Sequence, residues 1–362
     1  MTRAVNAVDF WRGVALVTIF VNHIPGILYE RLTYKNLSIS DSAELFVFLA
    51  GWSLRHIVGR PEDPTPANQL VFRLYGRALT IYAVHMTIVM VAIAMLALSS
   101  ILLANPLLLE WHNAAAVFFD PVNTHIGLVL LTHQLGYFDI LPLYVILMLL
   151  APLIAIVHRN APSILLPISL TVYFAALTIP ITVPSWPTEG QWFFNPLCWQ
   201  LVFVLGFSMS RERGPGGWVK RNITWIRWAA LPVVIVGMAM ALLNWMPDAT
   251  KVPEPKLLFI VGKTFLTPIR LIQFLALVAV MSVAFPYIQK AIPTACAFLA
   301  RLGRNSLPVF AVGSLLSLAG QIARFYFGGG FVIDSALVTI GITAMLATAW
   351  LAEWRDRVEK KR

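Results

Sequence analysis

Charged residues are scarce in this sequence of 362 residues. Asp, Glu, Lys and Arg make up 12% of the chain, whereas soluble globular domains carry roughly 25%. Hydrophobic residues make up 59%, and the mean hydropathy is +0.76. No polar stretch is long enough to form a separate soluble domain. The composition therefore predicts a single membrane-embedded domain that covers residues 1–362.

Cysteine is almost absent as well, since Cys198 and Cys296 are the two cysteines of the chain. Two cysteines cannot build the framework of a disulfide-rich protein, and neither has the spacing of a metal ligand. We therefore expect no disulfide scaffold and no metal site.

Long apolar runs dominate the rest of the sequence. A helix of about 20 residues crosses about 30 Å of hydrocarbon, and ten runs approach this length. They lie near residues 10–29, 42–58, 76–103, 137–157, 163–182, 195–210, 228–246, 264–285, 305–325 and 334–353. The first run has no small-residue cleavage site, and we expect it to continue as a bent helix past Pro25 to Tyr29. The pattern predicts an all-α, multi-pass membrane protein with about ten transmembrane helices.

Positive charge is distributed unevenly between the two sides of these ten runs. Alternating sides from the N-terminus assigns 20 of the 27 Lys and Arg residues to one side and the remaining seven to the other. Cytoplasmic loops carry the excess of Lys and Arg in membrane proteins. We therefore expect both termini to be cytoplasmic, and the net charge of +10 requires no nucleic acid.

Two predicted outer connections, residues 104–136 and 183–194, contain no Lys or Arg. They carry aromatic, histidine and acidic residues instead: Trp111, His112, Asp120, His125, His133, Trp186, Glu189 and Trp192. Aromatic faces with polar neighbours suit a carbohydrate ligand. They equally suit an aromatic belt at the membrane interface, and the sequence leaves both interpretations open.

The first apolar run contains Asp9, Arg12, Asn22 and His23. Arg12 and His23 are eleven residues apart, which is about three helical turns, so they share one helix face about 16 Å apart. Asp9 precedes Arg12 by three residues and can hold its guanidinium in place. Ionisable residues within a membrane segment mark a functional site by default. A histidine that serves packing alone is the alternative.

The second run places Asp41 and Glu44 at its outer end and Arg55 at its inner end. Two helices joined by a short connection are expected to pack antiparallel, and Gly51 would permit a close approach. Asp41 or Glu44 would then approach His23, while Arg55 would approach Arg12. A histidine beside a carboxylate is a suitable general base.

Five arginines on the predicted cytoplasmic side form a candidate site for the phosphates of an acyl-CoA donor. They are Arg12, Arg55, Arg60, Arg73 and Arg77. The positive-inside rule explains the same residues without any ligand.

These residues and several longer stretches resemble the acyltransferase-3 superfamily of membrane acyltransferases. The resemblance includes Arg12 and His23 with ten residues between them, FVFLAG at residues 46–51, and Arg73 with Arg77. Within the superfamily the chain is similar to the OpgC family, which succinylates osmoregulated periplasmic glucans. That likeness is carried by DFWRGVALVTIFVNH, SDSAELFVFLAGWS, YFDILPLYVILMLLAP, FFNPLCWQLVFVLGF and LGRNSLPVFAVGSLLS.

The resemblance implies transfer of an acyl group, with succinyl favoured, from cytoplasmic acyl-CoA to a periplasmic glucan across the bacterial inner membrane. His23 would be the catalytic base, oriented by Asp41 or Glu44, and Arg12 would bind the donor with Arg55, Arg73 or Arg77. Asp139, Asn195, Trp199 and Gln200 are candidates for the acceptor side, with interhelical hydrogen bonding as the alternative. Membrane lipids and other glucan-synthesis proteins are the expected partners.

The chain departs from the superfamily in the ninth run. Many members have a histidine there, where this chain reads Phe310-Ala311-Val312-Gly313. A second catalytic histidine from that position is therefore not expected.

Two other functions fit the same residues. A proton- or anion-coupled transporter of a glycan or organic acid would use His23, Glu44 and the basic residues as a pathway. An acyltransferase that acts on a lipid or a cell-wall glycan would differ in the acceptor alone.

Overall fold

The structure is a computed structural model that describes residues 5–59 and 65–359. These residues are mainly helical, and an isolated antiparallel bridge joins Pro184 to Gln191. Within the described residues, five helices are long and apolar enough to span a membrane, and a sixth span arises if Pro268–Met281 and Ala284–Ala291, bent by 51°, count as one. The protein is an all-α membrane protein. The number of about ten spans and the cytoplasmic termini stay predictions.

Fifteen α-helices follow one another in the described residues. They are α1 (Ala7–Asn22), α2 (Ser42–Val58), α3 (Ala67–Leu102), α4 (Ala115–Phe119), α5 (Pro121–Val129), α6 (Ile140–Asn160), α7 (Pro162–Thr178), α8 (Pro196–Ser210), α9 (Gly214–Arg221), α10 (Ile223–Leu242), α11 (Pro268–Met281), α12 (Ala284–Ala291), α13 (Pro293–Arg304), α14 (Ser306–Phe327) and α15 (Phe331–Glu359). Short 3-10 segments lie at Leu28–Leu32, Tyr34–Leu37, Pro106–Asn113 and Lys256–Leu258.

Helix α1 ends at Asn22, so the prediction of a helix that continues past Pro25 to Tyr29 is wrong. A proline disfavours the helical conformation of the residue before it, and Gly26 has a left-handed φ of 74°. The chain turns here and continues as a 3-10 segment from Leu28. His23 consequently occupies the C-terminal cap of α1.

The chain divides into two compact units, and we name each after one predicted catalytic residue. The His23 unit comprises residues 1–37, 87–115 and 281–362. In it, α1 packs against α13, α14 and α15. A Cβ atom built on Gly13 would lie 2.0 Å from the carbonyl oxygen of Leu299, and one built on Gly303 would lie 1.8 Å from that of Asp9. Helices α1 and α13 therefore touch backbone to backbone at two glycines.

The Glu44 unit comprises residues 38–86 and 116–280. Its helices α2 and α8 meet in the same way, since Cβ atoms at Gly51 and Gly206 would lie 1.9 Å and 2.0 Å from the carbonyl oxygens of Phe203 and Phe48. Gly51 does permit a close approach, and the helix that makes it is α8. Small residues allow such contacts where helices cannot gain from hydrophobic burial.

Candidate active site

The N-terminus of α1 fixes the first residues of the predicted constellation. Asn6 caps the helix by accepting a hydrogen bond from the backbone N–H of Asp9 at 2.9 Å, and its side-chain amide donates to the Asp9 carboxylate at 2.6 Å. The same carboxylate lies 4.0 Å from Arg304 of α13. The partial positive charge at the N-terminus of α1 also stabilises the negative charge of Asp9. The predicted contact between Asp9 and Arg12 stays a prediction.

The other end of α1 is held by polar side chains of α14. The Ser317 hydroxyl donates to the carbonyl oxygen of Phe20 at 3.0 Å, and the Gln321 amide donates to that of His23 at 2.5 Å. Asn22 accepts a hydrogen bond from Thr33 at 2.9 Å, which ties the following segment to the helix end. His23 therefore has a defined backbone position. The sequence offered a signal that our reasoning missed, because Ser317 and Gln321 lie four residues apart in an apolar run.

A second histidine, His112 from the connection 104–136, contacts the Gln321 side chain that binds His23. His112 Nε2 lies 2.7 Å from the Gln321 Oε1 atom. Because the Gln321 Nε2 group donates to His23, its oxygen accepts, and His112 Nε2 carries the proton. Burial lowers the pKa of His112, and the Gln321 hydrogen bond opposes that shift. A neutral His112 is thus linked through one amide to the backbone of His23.

The predicted carboxylates lie in the Glu44 unit, where they form a compact ion-pair network. Asp41 and Glu44 form a capping box at the start of α2. Lys263 approaches the Asp41 carboxylate at 2.6 Å, and Arg270 approaches it at 3.1 Å. Arg270 also forms a close ion pair with Glu44 and donates to the carbonyl oxygen of Ile39 at 2.6 Å.

The network changes the protonation of Asp41, which lies just before α2. Burial by itself would raise its pKa, but the charges of Lys263 and Arg270 outweigh burial and hold the pKa well below its usual range. Asp41 is therefore a carboxylate at neutral pH. Its predicted pairing with His23, like that of Glu44, joins residues of different units and stays a prediction. The cations Lys263 and Arg270 were missed as site residues.

Two of the predicted acceptor-side residues hold the chain that carries Lys263. The Trp199 indole N–H donates to the carbonyl oxygens of Lys263 and Thr264 at 3.0 and 3.2 Å. The Asn195 backbone N–H donates to the carbonyl oxygen of Thr264, and its side-chain amide donates to that of Ile181. Trp199 is fully buried. These contacts agree with the alternative of hydrogen bonding between segments.

Gln200 and Asp139 complete the predicted acceptor group. Gln200 accepts a hydrogen bond from Ser169 at 2.7 Å and donates to the carbonyl oxygen of the same residue, so it joins α8 to α7. Asp139 precedes α6, which begins at Ile140. Burial raises the pKa of Asp139 from 3.8 to about 6, although the charge of Lys263 opposes the shift. Asp139 can therefore exchange a proton near neutral pH.

The predicted donor-side arginines of the Glu44 unit differ in their surroundings. Arg55 donates to the carbonyl oxygen of Ser210 at 3.1 Å and lies 5.7 Å from the Trp52 ring centre. Arg73 and Arg77 are exposed on α3, and Arg60 lies outside the described residues. The structure thus brings Arg55 to the end of α8 and leaves Arg73 and Arg77 at the surface.

Two further arginines, which we had counted for topology alone, lie near Arg55. Arg159 donates to the carbonyl oxygens of Val58 and Thr65, and Arg211 donates to that of Gly59 at 3.2 Å. Within the described residues, neither Arg55 nor Arg159 forms an ion pair with a carboxylate. Guanidinium groups bound to backbone carbonyls keep their full positive charge, which suits a phosphate ligand.

The loop 183–194, predicted as an outer carbohydrate-binding or interfacial segment, lies beside Lys263 of the ion-pair network. The Lys263 ammonium lies 5.6 Å and 5.5 Å from the ring centres of Phe193 and Phe194. Phe193 and Trp186 are exposed, whereas Trp192 is buried. Exposed aromatic rings therefore lie in the segment that flanks Lys263.

Comparison with known proteins yields one match. A family model described as OpgC protein matches residues 3–357. No curated protein and no solved structure matches the chain. The match covers nearly the whole sequence and includes both units. The chain belongs to the OpgC protein family, and this membership indicates a transferase that takes part in the modification of osmoregulated periplasmic glucans.

Proposed function

We propose that the protein is an O-acyltransferase of the bacterial inner membrane. It would move an acyl group, most simply succinyl, from cytoplasmic acyl-CoA to hydroxyl groups of periplasmic glucans. The observation that carries the proposal is the placement of His23 in a chain of this family. The histidine ends α1 about 16 Å from Arg12, and α14 holds its backbone.

His23 acts as the general base in the proposed reaction. It takes the proton of a glucan hydroxyl while the hydroxyl oxygen attacks the thioester carbon of the donor. The new C–O bond forms, the C–S bond breaks, and the imidazolium returns its proton to the coenzyme A sulfur. Asp41 or Glu44 would support the imidazolium if either reaches the ring.

Arginines bind the phosphates of the donor in this proposal. Arg12 precedes His23 on the same helix, so a donor bound there can extend its thioester along α1. Arg55, with Arg73 or Arg77, is assigned the same role. Arg159 is added to these arginines because, like Arg55, it forms no ion pair with a carboxylate of the described residues. Bidentate guanidinium groups match phosphate oxygens in geometry and charge.

The acceptor side is assigned to the surroundings of Lys263. Asp139 can accept a hydrogen bond from a sugar hydroxyl, while Asn195 and Trp199 act indirectly by holding the backbone of residues 263–264. Gln200 holds α8, the helix that carries Trp199, against α7 through its hydrogen bond with Ser169. Exposed Phe193 and Trp186 offer apolar faces for sugar rings.

The central experiment compares wild type with His23→Ala at equal membrane levels, followed by mass spectrometry of periplasmic glucans. We expect succinyl substitution to fall by a factor on the order of 10² to 10⁴, the usual effect of losing a general base. His125→Ala is the matched control, because His125 is exposed and bonds to its own helix. Unchanged substitution in His23→Ala would contradict the assignment.

The same experiment separates the rival functions. A transporter could use the buried ion pairs of Asp41, Glu44 and Arg270 as a proton pathway. In that case, the variant would lose glucan from the periplasm rather than its acyl substitution. Normal glucans accompanied by a loss of acyl groups from lipid or cell-wall glycan would instead identify another acceptor.

A further inference from the structure

Arg324 lies at the outer end of α14 in a fixed ion pair. Its Nη1 atom is 3.1 Å from Asp334 Oδ1 and 3.2 Å from Asp334 Oδ2. Asp334 is buried in the first turn of α15 and also accepts a hydrogen bond from the backbone N–H of Leu28 at 2.7 Å. The helix N-terminus and this N–H both favour the negative charge of Asp334. Asp334 therefore holds one edge of the Arg324 guanidinium while its own charge is partly compensated by other groups.

The other edge of Arg324 faces glycines. A Cβ atom built on Gly329 would lie 2.2 Å from Nη2, and one built on Gly26 would lie 3.7 Å from it. Any side chain at residue 329 would therefore displace the guanidinium. Within the described residues, Nη2 makes no hydrogen bond. An arginine has five N–H donors, so this edge can bind a second carboxylate while Nη1 stays on Asp334.

The position of Arg324 relative to His23 follows from the helix that carries it. Gln321, which binds the His23 carbonyl oxygen, precedes Arg324 by three residues on the same face of α14. Three residues correspond to about 4.5 Å along the helix. In a succinyl thioester, three C–C bonds of about 1.5 Å each separate the thioester carbon from the free carboxylate carbon. Bond angles shorten the extended chain to about 4 Å between these two carbons, which is close to the axial step of about 4.5 Å from Gln321 to Arg324.

We propose that Arg324 binds the free carboxylate of the succinyl group and so selects succinyl over uncharged acyl groups. The proposal rests on the acyltransferase function stated above. A donor aligned along α1 has its phosphates at Arg12, its thioester at His23 and its carboxylate at Arg324. An acetyl group has no carboxylate to bind there, so it gains nothing from the arginine. Bidentate recognition of carboxylates is the geometry for which guanidinium is suited.

The test uses membrane vesicles, a neutral glucan acceptor and three donors. These are succinyl-CoA, acetyl-CoA and the methyl ester of succinyl-CoA, which keeps the length of succinyl and lacks its charge. For wild type we expect kcat/KM with succinyl-CoA to exceed that with the ester by roughly tenfold or more, as the loss of a charge-assisted hydrogen bond implies. Arg324→Gln should abolish this preference. Arg301→Gln is the control, because Arg301 forms a more exposed ion pair with Glu353 in the same unit.

Each outcome decides the proposal. If Arg324→Gln loses transfer from all three donors equally, the ion pair with Asp334 only stabilises the turn between α14 and α15. That result overturns the proposal. An unchanged preference for succinyl in Arg324→Gln also overturns it. If Arg324→Gln does not accumulate, Arg324→Lys takes its place, because lysine can keep the ion pair with Asp334 but lacks the second guanidinium edge. An unchanged preference for succinyl-CoA in that variant overturns the proposal. The absence of any acyl transfer by wild type would instead refute the function on which the proposal rests.

Discussion

The start of α2 in the Glu44 unit and the end of α1 in the His23 unit are held by different kinds of polar contact. In the Glu44 unit, Asp41, Glu44, Lys263 and Arg270 neutralise one another through direct ion pairs. In the His23 unit, the end of α1 is bound by uncharged Ser317 and Gln321, and a neutral His112 is hydrogen-bonded to Gln321. Paired charges cost much to disturb, whereas a neutral imidazole can gain and lose a proton. The difference predicts a mainly structural role for the ion pairs at the start of α2 and agrees with the proposed catalytic role of His23.

The largest expected effect comes from opening the ion-pair network. Glu44→Ala leaves the Arg270 guanidinium buried without its partner, which should lower the free energy of unfolding by roughly 3–5 kcal/mol. Thermal unfolding of the purified protein in detergent measures the change. The control is Glu30→Ala, which breaks an exposed pair with Lys35 and should cost at most about 1 kcal/mol.

The double variant Glu44→Leu with Arg270→Met sharpens this comparison. Replacing both charges by apolar residues should restore most of the stability that Glu44→Ala loses. A stable double variant without acyl transfer would support a catalytic role for Glu44 or Arg270. If Glu44→Ala unfolds like Glu30→Ala, the structural interpretation of the network is wrong.

A smaller effect, on rate rather than stability, is expected in the His23 unit. Gln321→Leu removes the hydrogen bonds to the His23 carbonyl and to His112, so the base loses its position, and a misplacement of about 1 Å can cost on the order of a hundredfold in rate. Stability should change by only about 1 kcal/mol. Both quantities are measured on the same preparation, as acyl transfer and thermal unfolding.

Ser314→Ala provides the matched control on α14. The Ser314 hydroxyl donates to Phe310 of its own helix at 3.0 Å and does not reach α1. The control should therefore transfer acyl groups at nearly the wild-type rate. Equal rates for Gln321→Leu and wild type would show that His23 needs no support from α14.

The smallest expected effect is a pH dependence of the protein's stability that arises from Asp139 in the Glu44 unit. The pKa of Asp139 rises from 3.8 to about 6 in the folded protein, so the folded state binds more protons between these values. Stability contributed by this group therefore falls as pH rises from about 4 to 6 and then stays constant. Asp139→Asn removes this dependence.

Thermal unfolding of wild type and Asp139→Asn at several pH values checks that sign. The stability of Asp139→Asn relative to wild type should be greater at neutral pH than near pH 4. An advantage that grows as the pH falls would contradict the burial of Asp139 as the main cause of its shift.

Local patterns in the sequence predicted much of the helical framework. The run 42–58 matches α2 in both bounds, and 195–210 differs from α8 by one residue. Hydropathy succeeds here because the apolar run and the helix end together. At α1 it failed, since residues 24–29 stay apolar while Pro25 and Gly26 end the helix. The run 264–285 contains α11 but only the first two residues of α12, and the two helices meet at a bend of 51°.

The candidate site was predictable only as far as it lies on one helix. Arg12 and His23 follow from helical spacing within α1. The partner of Glu44 is Arg270, 226 residues later, and the partner of His112 is Gln321, 209 residues later. Spacing along the chain carries no information about such tertiary contacts. Lys263 and Arg270 were visible in the sequence, but counting charges could not show that both bind the carboxylates at the start of α2.

The glycine crossings of α1 with α13 and of α2 with α8 give the protein a signature that is independent of its chemistry. Each crossing needs glycine on both helices, at residues 13 and 303 and at residues 51 and 206. Under the proposed mechanism, a descendant that lost His23 would lose the reaction, yet it would still need these four glycines for the helices to pack. Retention of the glycines without the histidine would therefore identify relatives that keep this architecture after giving up catalysis.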